Sequence, residues 1–201
     1  MQPLVVHTGK AMPLRKTNVD TDQIFPAHQV RGVSKTGLGD ALLSDWRADP
    51  DFVFNNPAHE GASILVAGTE FGTGSSREWA VWALVDYGFR VIFSPRFGDI
   101  FRGNATNNGV VAATLPQAAI DSLWAQVEAE PEKPLTVDLV ERRVSVGELA
   151  FTFEYPEEWR WQVMNGLDEI QLTLNLAEQI DGYESRRRGS LPRIDRPRQA
   201  S

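Results

Sequence analysis

Short runs of consecutive apolar residues alternate along this chain with segments whose apolar residues recur every three or four positions. That contrast predicts its elements. Ala62–Ala67, Arg90–Ser94 and Gly109–Ala113 are largely continuous apolar runs of strand length, the pattern of strands covered on both faces. Between them, Ser75–Tyr87 carries Trp79, Ala80, Ala83, Leu84 and Tyr87 at helical spacing, and Pro95–Asn104 reads as a short helix. Pro116–Glu130 predicts a longer helix, with proline near its start and Ile120, Leu123, Trp124 and Val127 on one face. The runs Leu135–Val140, Arg142–Val146 and Leu149–Glu154 alternate as an antiparallel meander does, and Glu157–Asn165 and Asp168–Glu184 read as helical. Towards the N-terminus, Leu4–Thr8 is a short strand and Asn18–Pro26 is turn-rich. Asp40–Arg47 is a short helix ended by the Asp49-Pro50 turn signal. Strand–helix–strand alternation flanked by antiparallel strands predicts an α/β domain, a mixed sheet with flanking helices.

Composition sets limits on this picture. The 201 residues suffice for one domain. We place it at residues 1–184, followed at 185–201 by a tail in which arginine, proline and serine leave little to bury and which is expected to be disordered. Six arginines stand in that tail against one acid, Asp195, although the whole chain carries a net charge of −7. The acidic balance argues against a nucleic-acid partner, and no apolar run is long enough to span a membrane. There is no cysteine, so a disulfide framework, a thiolate metal site, a cysteine nucleophile and self-ligation of an iron–sulfur cluster are all excluded. These features fit a cytoplasmic protein. His7, His28 and His59 have no metal-like spacing and are expected to be surface or core residues, so no metal site is assigned.

The segment most suggestive of chemistry is Phe71-Gly72-Thr73-Gly74-Ser75-Ser76-Arg77-Glu78, between a buried strand and a helix. Unpaired N–H groups at a helix start attract anions, and Gly72 and Gly74 permit close backbone approach. A plainer reading is that Ser75 and Glu78 form a capping box and merely start the helix. Arg77 weighs against the plainer reading, because a cation beside the positive end of the helix dipole is locally unfavourable. The segment lacks the third glycine of a dinucleotide fingerprint, the lysine of a phosphate-binding P-loop, and the flanking glycines of a nucleophile elbow.

Four motifs occur in order: Asn18-Val19-Asp20-Thr21-Asp22-Gln23-Ile24-Phe25-Pro26, the segment Phe71–Glu78, Asp86-Tyr87-Gly88-Phe89-Arg90-Val91-Ile92, and Arg96-Phe97-Gly98-Asp99-Ile100-Phe101-Arg102-Gly103-Asn104. Together they resemble the family of 3-isopropylmalate dehydratase (isopropylmalate isomerase) small subunits, over about Leu4–Glu184. The resemblance implies a β/β/α swivelling domain of the aconitase superfamily. It implies a hydro-lyase that converts 2-isopropylmalate to 3-isopropylmalate by dehydration and rehydration in leucine biosynthesis, active only with a large subunit. That partner would carry a [4Fe–4S] cluster, and this chain would bind no cofactor itself.

Carried over residue by residue, the resemblance makes Ser75 the catalytic base, Arg77 a clamp on a substrate carboxylate and Ser76 a further hydrogen-bonding contact. Asp20, Asp22, Gly72, Gly74 and Asn104 would support the surrounding loops. Asp20 and Asp22 suit a turn held by side-chain-to-backbone hydrogen bonds as well as they suit contact with substrate. In the segment that would select the substrate's variable group, Val30 and Val33 suit an isopropyl pocket, whereas Arg31 suits a third carboxylate. The alternatives are therefore a related small subunit acting on another substituted malate, of homoaconitate or citraconate/methylmalate type, and a non-catalytic module of the same fold. Trp79 stands where relatives usually have histidine.

Overall fold

The computed structural model describes residues 1–30, 34–75 and 77–188. Its centre is a four-stranded parallel sheet in the order β2 (Ala11–Leu14), β4 (Ile64–Ala67), β6 (Val91–Ser94), β7 (Val111–Thr114). Every residue of the first three strands is buried. Successive side chains of a strand point to opposite faces, so one sheet feeds two cores. Leu65, Ala67 and Ile92 pack with Leu42, Leu84 and Phe101 on one side. Ile64, Val66, Val91 and Phe93 pack with Ile120, Leu123, Trp124 and Val137 on the other. This two-sided burial is why the strands read as unbroken apolar runs rather than alternating ones.

The first face is covered by α3 (Glu78–Tyr87) and α4 (Asp99–Asn107), both contributing buried residues to that core. The second face is covered by α5 (Gln117–Ala129) and by an antiparallel sheet in the order β1 (Val6–Gly9), β8 (Leu135–Asp138), β9 (Arg143–Val146), β10 (Leu149–Thr152). The buried Trp124 ties α5 to the parallel sheet by donating Nε1–H to the Val66 carbonyl at 2.8 Å. A short parallel pair, β3 (Val19–Asp20) with β5 (Phe71–Thr73), stands apart from both sheets. The helices α1 (Thr21–Ile24), α2 (Ser44–Arg47) and α6 (Glu157–Asn165) complete the compact unit Met1–Asp168. A second unit begins at Glu169 and contains α7 (Glu169–Leu174) and α8 (Ala177–Arg186).

The α/β class, the buried strands, the meander and the proline-led helix are found where the sequence places them. Other details differ, each for a local reason. The mixed sheet resolves into separate parallel and antiparallel sheets, with β1 joining the meander through β8. No strand was expected at Ala11–Leu14, where Pro13 interrupts the pattern; β2 accommodates it as an edge strand, whose outer side needs no N–H donor. The expected helix Asp40–Arg47 is a 3-10 turn at Gly39–Ala41 followed by the single turn α2. Between them Leu43 takes a left-handed φ of 52° and donates its N–H to the Ile24 carbonyl at 2.8 Å. The helix expected from Pro95 starts at Asp99 instead, because Arg96 and Gly98 exchange backbone hydrogen bonds with Phe71. The helix expected over Asp168–Glu184 is broken between Leu174 and Ala177 and runs on to Arg186. The rest of the expected tail, from residue 189, lies outside the described residues.

His59 is a core residue. It ends a 3-10 turn, Pro57–His59, and is 3 % exposed. Its Nδ1 lies 3.1 Å from the Ala11 carbonyl, which can only accept, so Nδ1 carries the proton. Burial lowers its pKa below the usual 6.5. The unfolded chain therefore binds a proton more readily, and stability rises with pH across the window from the lowered value up to about 6.5. Urea unfolding followed from about pH 8 to about pH 5 should show stability lost as the pH falls through that window. His59→Gln, which removes one titrating ring, should reduce the slope there, while His7, whose pKa burial and the Arg90 charge also lower, keeps its share.

Candidate active site

The candidate site is built where β3 lies beside β5. Val19 pairs with Phe71 and Asp20 with Thr73, so β5 advances two residues while β3 advances one. Gly72 is the extra residue, with φ of 74°, and Gly74 follows at 84°. A bulge of this kind bends the strand and favours glycine. A Cβ on Gly72 would lie 2.2 Å from Cγ of the buried Phe101 in α4, so close packing as well as conformation requires glycine there.

This pairing sets the turn that follows β3 against the loop that follows β5. Asp20 caps α1: its Oδ1 accepts from the Gln23 N–H at 2.7 Å, while Gln23 Oε1 accepts from the Asp20 N–H at 3.0 Å. Thr21 Oγ1 donates to the Ser75 carbonyl at 3.2 Å. Asp22 Oδ1 lies 3.1 Å from Arg77 Nη1. Phe25 stacks on Trp79 at a centroid distance of 6.2 Å, and Trp79 meets Trp82 edge to face at 4.9 Å.

The helix does not begin at Ser75. Arg77 is the N-cap of α3, in extended conformation and with no side-chain cap, so the Ser75–Glu78 capping box is not formed. The Thr21 hydroxyl engages the Ser75 carbonyl, and Glu78 Oε1 instead accepts from Asn108 Nδ2 at 2.9 Å. Ser75 thus stands on the loop ahead of the cap, exposed, its hydroxyl without a hydrogen-bond partner among the described residues. Arg77 is exposed beside it. The capping box of this region belongs to Asp20 and Gln23.

The remaining expected site residues are more scattered. Asn104 lies within α4, its carbonyl accepting from Asn108 Nδ2 at 2.9 Å, so these asparagines belong to the helix end rather than to a free loop. Val30 follows a 3-10 turn at Ala27–Gln29 and is 40 % exposed. Arg31, Val33 and Ser76 lie outside the described residues. The sequence singled out neither Glu70 nor, beyond its place in the fourth motif, Arg96; their Oε1 and Nη1 are 3.2 Å apart. They line a cleft of about 330 Å³ with Gly72, Thr73, Gly74 and Ile100. Among the described residues, no group of three or more histidines, aspartates or glutamates could hold a metal ion, and no helix is long and apolar enough to cross a membrane.

Comparison with known proteins places the chain in a family. A family model described as the aconitase C-terminal domain covers residues 1–118, and a second, LeuD_N, covers residues 121–154. The 3-isopropylmalate dehydratase small subunit of Acidothermus cellulolyticus is 55% identical over 187 residues, 93% of this chain and 95% of its own length. That of Parafrankia sp. is 53% identical over 192 residues, 96% and 98% of the two lengths. The chain belongs to the 3-isopropylmalate dehydratase small-subunit family. In fold, it resembles the crystal structure of 3-isopropylmalate dehydratase from Methanocaldococcus jannaschii, with a TM-score of 0.67 at 22% identity over 89% of this chain and 99% of that one. As a small-subunit family member, the chain has the aconitase-superfamily fold class that its motifs implied.

Within this family member, the bulge at Gly72 joins the loop to the core. Gly72→Ala adds a left-handed φ penalty to a clash with Phe101, and should lower unfolding stability by about 2–4 kcal/mol. Urea denaturation of the purified chain measures the loss; a change within about 0.5 kcal/mol would mean that the loop relaxes freely.

Proposed function

We propose that this chain is the small subunit of a hydro-lyase interconverting 2-isopropylmalate and 3-isopropylmalate in leucine biosynthesis, working in the cytoplasm with a large subunit. What carries the reading is the exposed Ser75 loop beside the Arg77 guanidinium, in a chain matching small subunits of that name at 50–55% identity over most of its length. Arg77 binds a substrate carboxylate through the planar fork of its guanidinium. Ser76 donates a further hydrogen bond to the substrate. Ser75, as the alkoxide, takes the proton from the carbon next to a carboxylate. The electron pair left behind forms the carbon–carbon double bond as hydroxide leaves the adjacent carbon. In the return addition hydroxide joins the carbon that lost the proton, and Ser75 delivers a proton to the carbon that lost the hydroxyl.

An alkoxide needs a concentrated positive potential in a site closed to water. Because α3 starts at Glu78, Ser75 is separated from the helix N–H groups, and Arg77 is the cation nearest to it in sequence. In this reading the carboxylate clamp also lends positive potential to the base. An iron–sulfur cluster does not fit this chain, which has no cysteine and, among the described residues, no grouping able to hold a metal. In this reading the [4Fe–4S] cluster belongs to the large subunit.

Reconstitution of the wild-type chain with its large subunit, assayed without oxygen on 2-isopropylmalate and related substituted malates, should give turnover of 2-isopropylmalate. Ser75→Ala should lower kcat by roughly 10²–10⁴ while the subunits still co-purify. A near-normal kcat would remove Ser75 from the role of base. Arg77→Lys keeps the charge but loses the fork, and should raise KM by about tenfold.

A further inference from the structure

The Asp22–Arg77 contact, like Glu70–Arg96 at the neighbouring cleft, differs from the two-pronged arginine pairs of this protein. Arg15 donates from Nε and Nη2 to both oxygens of Glu128, at 2.6 and 2.8 Å, so its fork is fully engaged. Arg160 does the same with Glu157. Arg77 approaches Asp22 through Nη1 at 3.1 Å and, among the described residues, makes no aligned side-chain hydrogen bond. Its guanidinium is held electrostatically while, among the described residues, its donors make no aligned hydrogen bond.

The two partners are not equally constrained. Asp22 sits on a turn fixed from three sides, by the Asp20–Gln23 capping box, by the Thr21 hydroxyl on the Ser75 carbonyl, and by the stacking of Phe25 on Trp79. Arg77 is a long side chain, 43 % exposed, with large rotamer freedom to lose on binding an anion. A carboxylate carried on a braced turn beside a longer guanidinium side chain narrows the volume the guanidinium explores, and hence the entropy lost when it captures a ligand.

We propose that Asp22 is a positioning residue for substrate binding: it orients Arg77 beside Ser75 with its hydrogen-bonding fork free for the substrate carboxylate. The proposal rests on the reading of Arg77 as the clamp. It assigns Asp22 a role through Arg77, distinct from the turn-holding of Asp20.

The test uses the complex reconstituted with the large subunit and 2-isopropylmalate as the probe. Asp22→Asn keeps the side chain's size and removes its charge. KM should rise by about fivefold, the upper range for an exposed pair, with kcat within about twofold and an unchanged thermal midpoint. Asp22→Glu restores the charge and should bring KM back to within about twofold of wild type. With Arg77→Lys as the control that raises KM, an Asp22→Asn KM that is unchanged or lower would overturn the proposal alone; a lower value would show Asp22 competing with substrate. A fall in kcat and thermal midpoint that Asp22→Glu does not rescue would also overturn it, reducing Asp22 to a structural turn residue. If Arg77→Lys itself leaves KM unchanged, the clamp reading fails and the positioning role fails with it.

Discussion

Two segments more than fifty residues apart meet because β3 lies parallel to β5 with one extra residue in β5. That two-strand pairing sets Asp20, Thr21 and Asp22 opposite Thr73, Ser75 and Arg77. Two paired strands are at best marginally stable alone, so the pairing depends on its surroundings. Val19 and Phe71 are fully buried in the first core, and Phe71 meets both Phe97 and Phe101 edge to face. Each buried aromatic contributes roughly 1.5–3 kcal/mol, whereas the exposed Asp22–Arg77 pair contributes at most about 1 kcal/mol. Packing, rather than the ion pair, therefore holds the site together, and the charges are left free for chemistry.

The division of labour between buried and exposed groups runs through the whole face. The loop backbone is tied down from below by Phe101 against Gly72 and by the backbone bonds between Phe71, Arg96 and Gly98. Its side chains at positions 75 and 77 are exposed. Rigid backbone with uncommitted polar side chains is the arrangement needed to bind an anion without a large ordering cost. Glu78 is the exception: it accepts from Asn108 Nδ2, which joins the end of α4 to the first turn of α3 beside the loop.

Sequence pattern carried the parts of the fold in which one residue type meets one environment. Ile64–Ala67 and Val91–Ser94 are buried on both sides, so their apolar runs could be read directly; α5 announced itself through Pro116 and the Ile120–Val127 face. What escaped was decided by partners distant in sequence. Ala11–Leu14 is a strand only because β4 lies beside it, and the segment from Phe71 read as a connection between a strand and a helix because its own strand lasts three residues. At the site, the glycines and Arg77 marked the loop, and the Asp-Thr-Asp turn was visible as a turn. The 3.1 Å approach between Asp22 and Arg77 had no local signature, because it follows from the β3–β5 register. The start of α3 was misplaced for a similar reason: the hydroxyl that holds Ser75 out of the helix comes from Thr21.

The sharing of one parallel sheet between two cores restricts how this protein can change over evolutionary time. Neighbouring residues in β4 serve different interiors, Ile64 and Val66 one and Leu65 and Ala67 the other. Inserting or deleting a single residue there would exchange the two sets and mismatch both layers at once. Length variation is thereby excluded from the central strands and directed to surface connections, where backbone can be added without reversing any side chain.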